Sequence, residues 1–250
     1  MVNNSPWDDF DKYIKELLAT GANKTYIDYA THIKYSLPDK LLTDFVFVFD
    51  LDLTAICTQD STDSLHELNI YGNPLLMELR RRVYYFHIED LERKGIGTKY
   101  SFWGVTRPHL HDLLLFCQKY GRIVVWSAGK RLYVEPVVSH IFKNLPYPEL
   151  VLTYDDISFD KDGNVVKPLT KVCELLNVPL SKVLVIDDNE LTFQRNVDNG
   201  ILIPAYEPKS NITQLTSDDQ ALLKLKRWLS TPEVMTASDV TTLDKSRIFV

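Results

Sequence analysis

Phe45-Val46-Phe47-Val48-Phe49-Asp50-Leu51-Asp52-Leu53-Thr54 is the stretch that decides the fold. Its first five residues form an unbroken β-branched and aromatic run with no polar face. Such a run makes a strand buried on both sides, the habit of a parallel sheet. Three further runs share the character: Ile123-Val124-Val125-Trp126, Val183-Leu184-Val185-Ile186 and the shorter Ile201-Leu202-Ile203 after Gly200. Between them lie helical patterns. Pro108 opens one with apolar positions at Leu110, Leu113, Leu114 and Cys117, and Gly121 closes it. Others are predicted at about 130–143, 168–177 and 189–196. Strands alternating with helices imply a three-layer α/β/α, Rossmann-like fold with a central parallel sheet and right-handed crossovers.

Two stretches break the alternation. Residues 83–105 read as a β-hairpin insert, with strands Val83–Ile88 and Tyr100–Val105 and a polar connection containing Gly95 and Gly97. In residues 157–166, Asp162-Gly163 between short apolar segments signals a second hairpin. Residues 1–43 are expected to form an N-terminal helical extension. Ser5-Pro6 starts its first helix, and Phe10, Ile14, Leu17 and Leu18 share a face. Ser217-Asp218-Asp219 caps a helix that runs to about Leu229, and residues 231–250, rich in Thr, Ser and Asp, read as a loosely packed tail. The expected division is thus 1–43, a main domain over 44–230 with an insert at about 59–106, and a tail.

The chain has 250 residues, 45% of them apolar and 25% charged, enough for a substantial core. A net charge of −6 argues against nucleic acid as a partner, because phosphate backbones need a basic face. The three cysteines are scattered, without a CxxC pair, which fits a reducing compartment, cytoplasmic or nuclear. There is no signal-peptide pattern at the start and no apolar run long enough to cross a bilayer, so an intracellular protein without a membrane anchor is expected.

In an open parallel sheet, sites form beyond the carboxyl ends of the strands. Asp50 and Asp52 follow the first strand, Ser127 the second, and Asp187-Asp188 the third. An Asp in such a place often only caps a turn, and a lone lysine such as Lys167 is usually a solvated charge. The combination in this order is harder to attribute to chance. Carboxylates crowded at one edge repel each other unless a cation neutralises them, and hard oxygen ligands suit Mg²⁺. A metal among carboxylates, one Asp free to attack and another to move protons make a phosphoryl-transfer apparatus.

These residues carry a resemblance. Asp50-Leu51-Asp52-Leu53-Thr54, Arg107-Pro108, Trp126-Ser127-Ala128-Gly129 with Tyr133 and Glu135-Pro136-Val137, Val166-Lys167-Pro168, and Val185-Ile186-Asp187-Asp188-Asn189 resemble, in order, the motifs of the haloacid dehalogenase (HAD) superfamily. Within it they resemble the FCP/SCP, NLI-interacting-factor-like branch of carboxy-terminal-domain phosphatases, over residues 44–230. Three positions depart: the branch usually has Asp-Asn where this chain has Asp187-Asp188, Thr where it has Ser127, and Leu where it has Ala55. The Trp-Ser-x-Gly form also resembles superfamily phosphatases of baculoviruses and related insect viruses.

The resemblance implies an Mg²⁺-dependent phosphatase acting on a phosphoserine or phosphothreonine protein or peptide. It implies Asp50 as nucleophile, Asp52 as general acid and base, and Ser127 and Lys167 as phosphate ligands. Thr54 is expected to orient Asp52 beside the substrate. The metal ligands implied are Asp50, the Asp52 backbone carbonyl, and Asp187 or Asp188. Two other readings compete: a nucleotide or nucleic-acid 3′-phosphatase, for which the Arg80-Arg81-Arg82 run could hold a polyanion, and a catalytically silent assembly module that keeps the fold.

Overall fold

The structure is a computed structural model and describes residues 41–59, 63–89 and 99–250. The expected helices within 1–40 and the connection holding Gly95 and Gly97 lie outside those residues.

Five parallel strands make the central sheet in the order β10-β9-β1-β5-β6. They are β1 (Phe45–Phe49), β5 (Gly121–Trp126), β6 (Leu150–Leu152), β9 (Val183–Asp187) and β10 (Gly200–Leu202). β1 pairs with β5 on one side and β9 on the other, so chain direction across the sheet reverses at β1. That reversal opens a crevice at the strand ends.

Alternation along each strand divides the core in two. Phe45, Phe47 and Phe49 join Ile123, Val125, Leu184 and Ile186 on one face, under helices Leu110–Tyr120, Arg131–Ile141 and Ala221–Leu229. Val46 and Val48 join Val124, Trp126, Val183 and Val185 on the other, against helix Thr170–Leu176. Both faces are apolar because both are covered, which is the reason the strands read as continuous runs.

Three expectations change. The helix predicted at 189–196 is replaced by 3-10 turns at Glu190–Phe193 and Val197–Asn199. The Thr192 carbonyl accepts instead from the Lys167 amide at 2.6 Å, and that contact holds the turn against the neck of the site. β6 was not expected; at three residues it gives too short a pattern. The supposed loose tail is packed: Val234, Val240 and Ile248 belong to the same core cluster as the β1 phenylalanines.

The insert is a three-stranded antiparallel sheet in the order β2-β4-β3, from β2 (Ile56–Gln59), β3 (Val83–Glu89) and β4 (Lys99–Thr106). One face has its own core, with Cys57, Val83, Trp103 and Val105 packed on Leu79, Tyr206 and Leu215. The other face carries Thr58, Tyr84, Phe86 and Phe102 toward the crevice, where Phe86 and Phe102 each lie within 6 Å of the Tyr133 ring centroid. The second hairpin forms as expected from β7 (Ser158–Phe159) and β8 (Val165–Val166), turning at Gly163 with φ +84°, a backbone conformation that favours glycine.

Candidate active site

Asp50 leaves the end of β1, its amide donating to the Ile186 carbonyl on β9 at 3.0 Å. The chain then reverses sharply. The Leu51 carbonyl accepts from the amides of Ala55 (2.8 Å) and Ile56 (3.0 Å), and Leu53 takes a left-handed conformation with φ 60°. For a leucine this costs about 1 kcal/mol, held by the Leu53 amide donating to the Ile56 carbonyl and by the Tyr206 amide donating to the Leu53 carbonyl. The turn sets Asp52 beside Asp50 at the crevice.

Lys167, next after β8, reaches into the cluster with only 2% of its surface exposed. Its ammonium donates to Asp50 Oδ1 at 2.5 Å and to Asp187 Oδ2 at 2.7 Å. Carboxylate oxygens of Asp50, Asp187 and Asp188 lie within 4.8 Å of one another. Burial pushes the Asp50 carboxyl up to about 8, against the attraction of Lys167 and with further repulsion from Asp187 and Asp52. Burial also raises Asp188 and Asp52. Lys167 itself lies above its ordinary value: burial acts to lower it, and the charges of Asp50 and Asp187 more than reverse that. One ammonium therefore faces more negative charge than it can balance. An all-oxygen acidic donor set with surplus charge is what a hard divalent cation fits.

Ser127 follows β5, is 1% exposed, and its Oγ accepts from the Gly129 amide at 2.9 Å. A hydroxyl held that way can still donate to a ligand. Thr54 is placed differently from expectation. Its hydroxyl donates to Asp188 Oδ1 and accepts from the Asp188 amide, both at 3.0 Å, and it is fully buried. It thus fixes the acidic pair after β9 and leaves Asp52 to others. Asp52 Oδ1 accepts from the Tyr133 hydroxyl, and the Thr58 hydroxyl oxygen lies 3.4 Å from the same atom. The Asp52 carboxyl is outside the three-carboxylate cluster, which leaves its backbone carbonyl as the expected ligand.

Thr58 and Tyr84 were not singled out in the sequence. Gly104, inside a strand pattern, is the signal that could have pointed to them, because a strand glycine marks close approach. Arg107 is also buried. It forms a two-pronged pair with Asp219 at 2.8 and 3.0 Å and donates to the Thr54 carbonyl at 3.1 Å, bracing the turn after β1.

Residues 45–241 match the NLI interacting factor-like phosphatase family. The chain belongs to that family. Among relatives of this NLI interacting factor-like domain, the mitochondrial import inner membrane translocase subunit TIM50 of Kluyveromyces lactis is 29% identical over 180 residues, covering 70% of this chain and 33% of the relative. CTD small phosphatase-like protein 2 of Dictyostelium discoideum is 24% identical over 162 residues, 62% of this chain and 26% of the relative. The chain thus spans about a third or less of the length of these relatives. A variant of fission yeast Fcp1, an RNA polymerase II CTD phosphatase, bound to beryllium fluoride, superposes with a TM-score of 0.53 at 21% identity, over 75% of this chain and 50% of that one. That likeness shows a shared three-layer α/β fold. Among the described residues, no helix of the domain is long and apolar enough to cross a membrane.

Proposed function

We propose that this chain is an Mg²⁺-dependent phosphatase that cleaves phosphoserine or phosphothreonine esters in proteins through an aspartyl-phosphate on Asp50. The observation that carries the reading is a buried carboxylate, Asp50, lodged between Lys167 and the acidic pair after β9. Asp50, the Asp52 carbonyl and Asp187 or Asp188 would hold Mg²⁺, which when bound offsets charge on the transferring phosphoryl group.

A carboxylate oxygen of Asp50 forms the new bond to phosphorus as the ester P–O bond breaks. The electron pair goes to the leaving oxygen, which takes its proton from Asp52. Water then attacks phosphorus, Asp52 takes its proton, and inorganic phosphate leaves with the Asp50 carboxylate restored. Lys167 and the Ser127 hydroxyl hold the phosphoryl oxygens through both steps. A cleft of about 410 Å³ lined by Thr58, Gln59, Phe102 and Tyr133 gives room for the leaving group beside Asp52. The phosphatase names of relatives such as the Dictyostelium protein support a phosphoprotein substrate.

The nucleic-acid reading loses its support in the arginine run. Arg80 donates to the Ile70 and Asn73 carbonyls, Arg82 to those of Thr106 and Leu215, and Arg81 pairs with Glu78. The TIM50 relatives favour a second reading, an assembly module. Hydrolysis of p-nitrophenyl phosphate by wild type and Asp50→Asn, with Mg²⁺ and with EDTA, decides between them. The phosphatase reading expects turnover that needs the metal and falls about 10³-fold or more in the variant. A folded, inactive wild type would shift the weight to the module or to a closed site selective for its own phosphoprotein.

A further inference from the structure

The insert sheet does more than border the crevice. Thr58 on β2 and Tyr84 on β3 both lie opposite Gly104 on the central strand β4. Side chains two strands apart start almost 10 Å from each other, and a side chain on the strand between would ordinarily separate them. Here it is missing. A Cβ on Gly104 would fall 2.4 Å from the Tyr84 hydroxyl oxygen, so the tyrosine occupies the vacated place. The Tyr84 and Thr58 hydroxyls consequently meet at 2.5 Å, and Thr58 meets the Tyr133 hydroxyl at 2.5 Å. Tyr133, from the helix after β5, donates to Asp52 Oδ1.

Three hydroxyls carry three protons, and one arrangement satisfies every short contact: Tyr84 donates to Thr58, Thr58 to Tyr133, and Tyr133 to Asp52. Both phenols are raised above their ordinary range, chiefly by burial, and so retain their protons as donors. Bonds in such a chain polarise one another. Among the described residues, the hydroxyls nearest the Asp52 carboxyl, those of Tyr133 and Thr58, both lie against Oδ1, which leaves Oδ2 to carry the transferred proton.

We infer that Thr58, Tyr84 and the gap at Gly104 are a positioning device, a hydroxyl chain anchored in the insert sheet that holds Asp52 with Oδ2 turned toward the leaving group. The inference rests on the acid role proposed for Asp52. Neither Tyr84 nor Gly104 lines the cleft or touches the acidic cluster.

A poorly placed acid harms esters whose leaving group needs a proton and spares those whose leaving group departs as a stable anion. The test compares benzyl phosphate with p-nitrophenyl phosphate by kcat/KM, which reports the first phosphoryl transfer. It is run on the full chain with Mg²⁺ for wild type, Tyr84→Phe, Thr58→Val, Thr58→Ser and Asp52→Asn. Tyr84→Phe is expected to lose about tenfold on benzyl phosphate and less than threefold on p-nitrophenyl phosphate, and Thr58→Val, at the cleft wall, to lose at least about threefold more on benzyl phosphate than on p-nitrophenyl phosphate, with Thr58→Ser removing that bias. Equal losses on both esters, or none, overturn the inference. If Tyr84→Phe does not fold, the Val and Ser variants of Thr58 decide it alone. Asp52→Asn separates the two claims: without its own bias against benzyl phosphate the acid assignment fails, whereas a bias there and none at Thr58 sinks only the hydroxyl chain.

Discussion

The two sheets that meet at the crevice are built on opposite terms. The parallel sheet is covered on both faces, and its edge holds charge: Asp50, Asp187 and Lys167 are all nearly inaccessible. The antiparallel insert covers one face and presents the other, where its polar groups are neutral hydroxyls among aromatic rings. Asp50 belongs to the first environment and Asp52 to the second, although only one residue lies between them. The difference teaches how two chemically identical carboxyls can take different tasks. One is matched against an ammonium and its fellow acids, the other against hydroxyls that hold it in place and leave its charge uncancelled.

The comparison breaks most visibly at Lys167. Replacing it by Ala strands Asp50 and Asp187 without a counter-charge, and should cost about 3 kcal/mol in urea unfolding at neutral pH without Mg²⁺, along with nearly all turnover. Added Mg²⁺ should recover part of the stability and none of the activity. A variant as stable as wild type would show that the edge is not organised by that ammonium. On the insert side the expected loss is smaller and of another kind. Phe102→Ala should lower kcat/KM for a phosphoserine peptide about tenfold and change p-nitrophenyl phosphate less than threefold. Equal losses would remove the insert from recognition.

The two regions should also tilt stability in opposite directions with pH. Asp50, raised to about 8 in the fold, binds a proton there that the unfolded chain gives up above about 3.8. In EDTA, stability from this group is full below pH 4 and is lost as pH rises toward 8; Mg²⁺ should flatten the slope. His140 lies 5.3 Å from the Tyr84 ring and is lowered to about 4 by burial, with Lys143 adding repulsion. The unfolded chain protonates it first, so its contribution is present above pH 6.5 and fades as pH falls toward 4, by about 3 kcal/mol. Thermal unfolding of His140→Asn should lack that acid decline. An unchanged acid slope in the variant would assign it to another group.

How much of this could be read from the chain follows the same division. The buried strands announced themselves because cover on both faces leaves no polar alternation to confuse, and the acidic residues stood where a parallel sheet places chemistry. Lys167 was found only through its motif, since nothing local distinguishes a buried lysine from a solvated one. Thr54 was given the wrong neighbour: its partner, Asp188, is far along the chain and is brought near by the β1–β9 pairing. β2 went unseen because Ile56-Cys57-Thr58-Gln59 is short and mixed, and with it went the hydroxyl chain. Contacts across three strands depend on register, which no single segment encodes.

The packing of residues 232–248 has a consequence in time. Val240 and Ile248 share a core cluster with Phe45 and Phe47, so the first strand of the sheet cannot find its full cover until residue 248 has left the ribosome. At about 5–20 residues per second that wait lasts on the order of 10–40 s. For that interval an apolar strand and a cluster of acids exist on the nascent chain without their lid. The domain's dependence on chaperones during synthesis should therefore fall on the stretch between β1 and the closing segment, and a ribosome stalled just short of residue 240 should hold a domain that has all its strands and is still protease-sensitive.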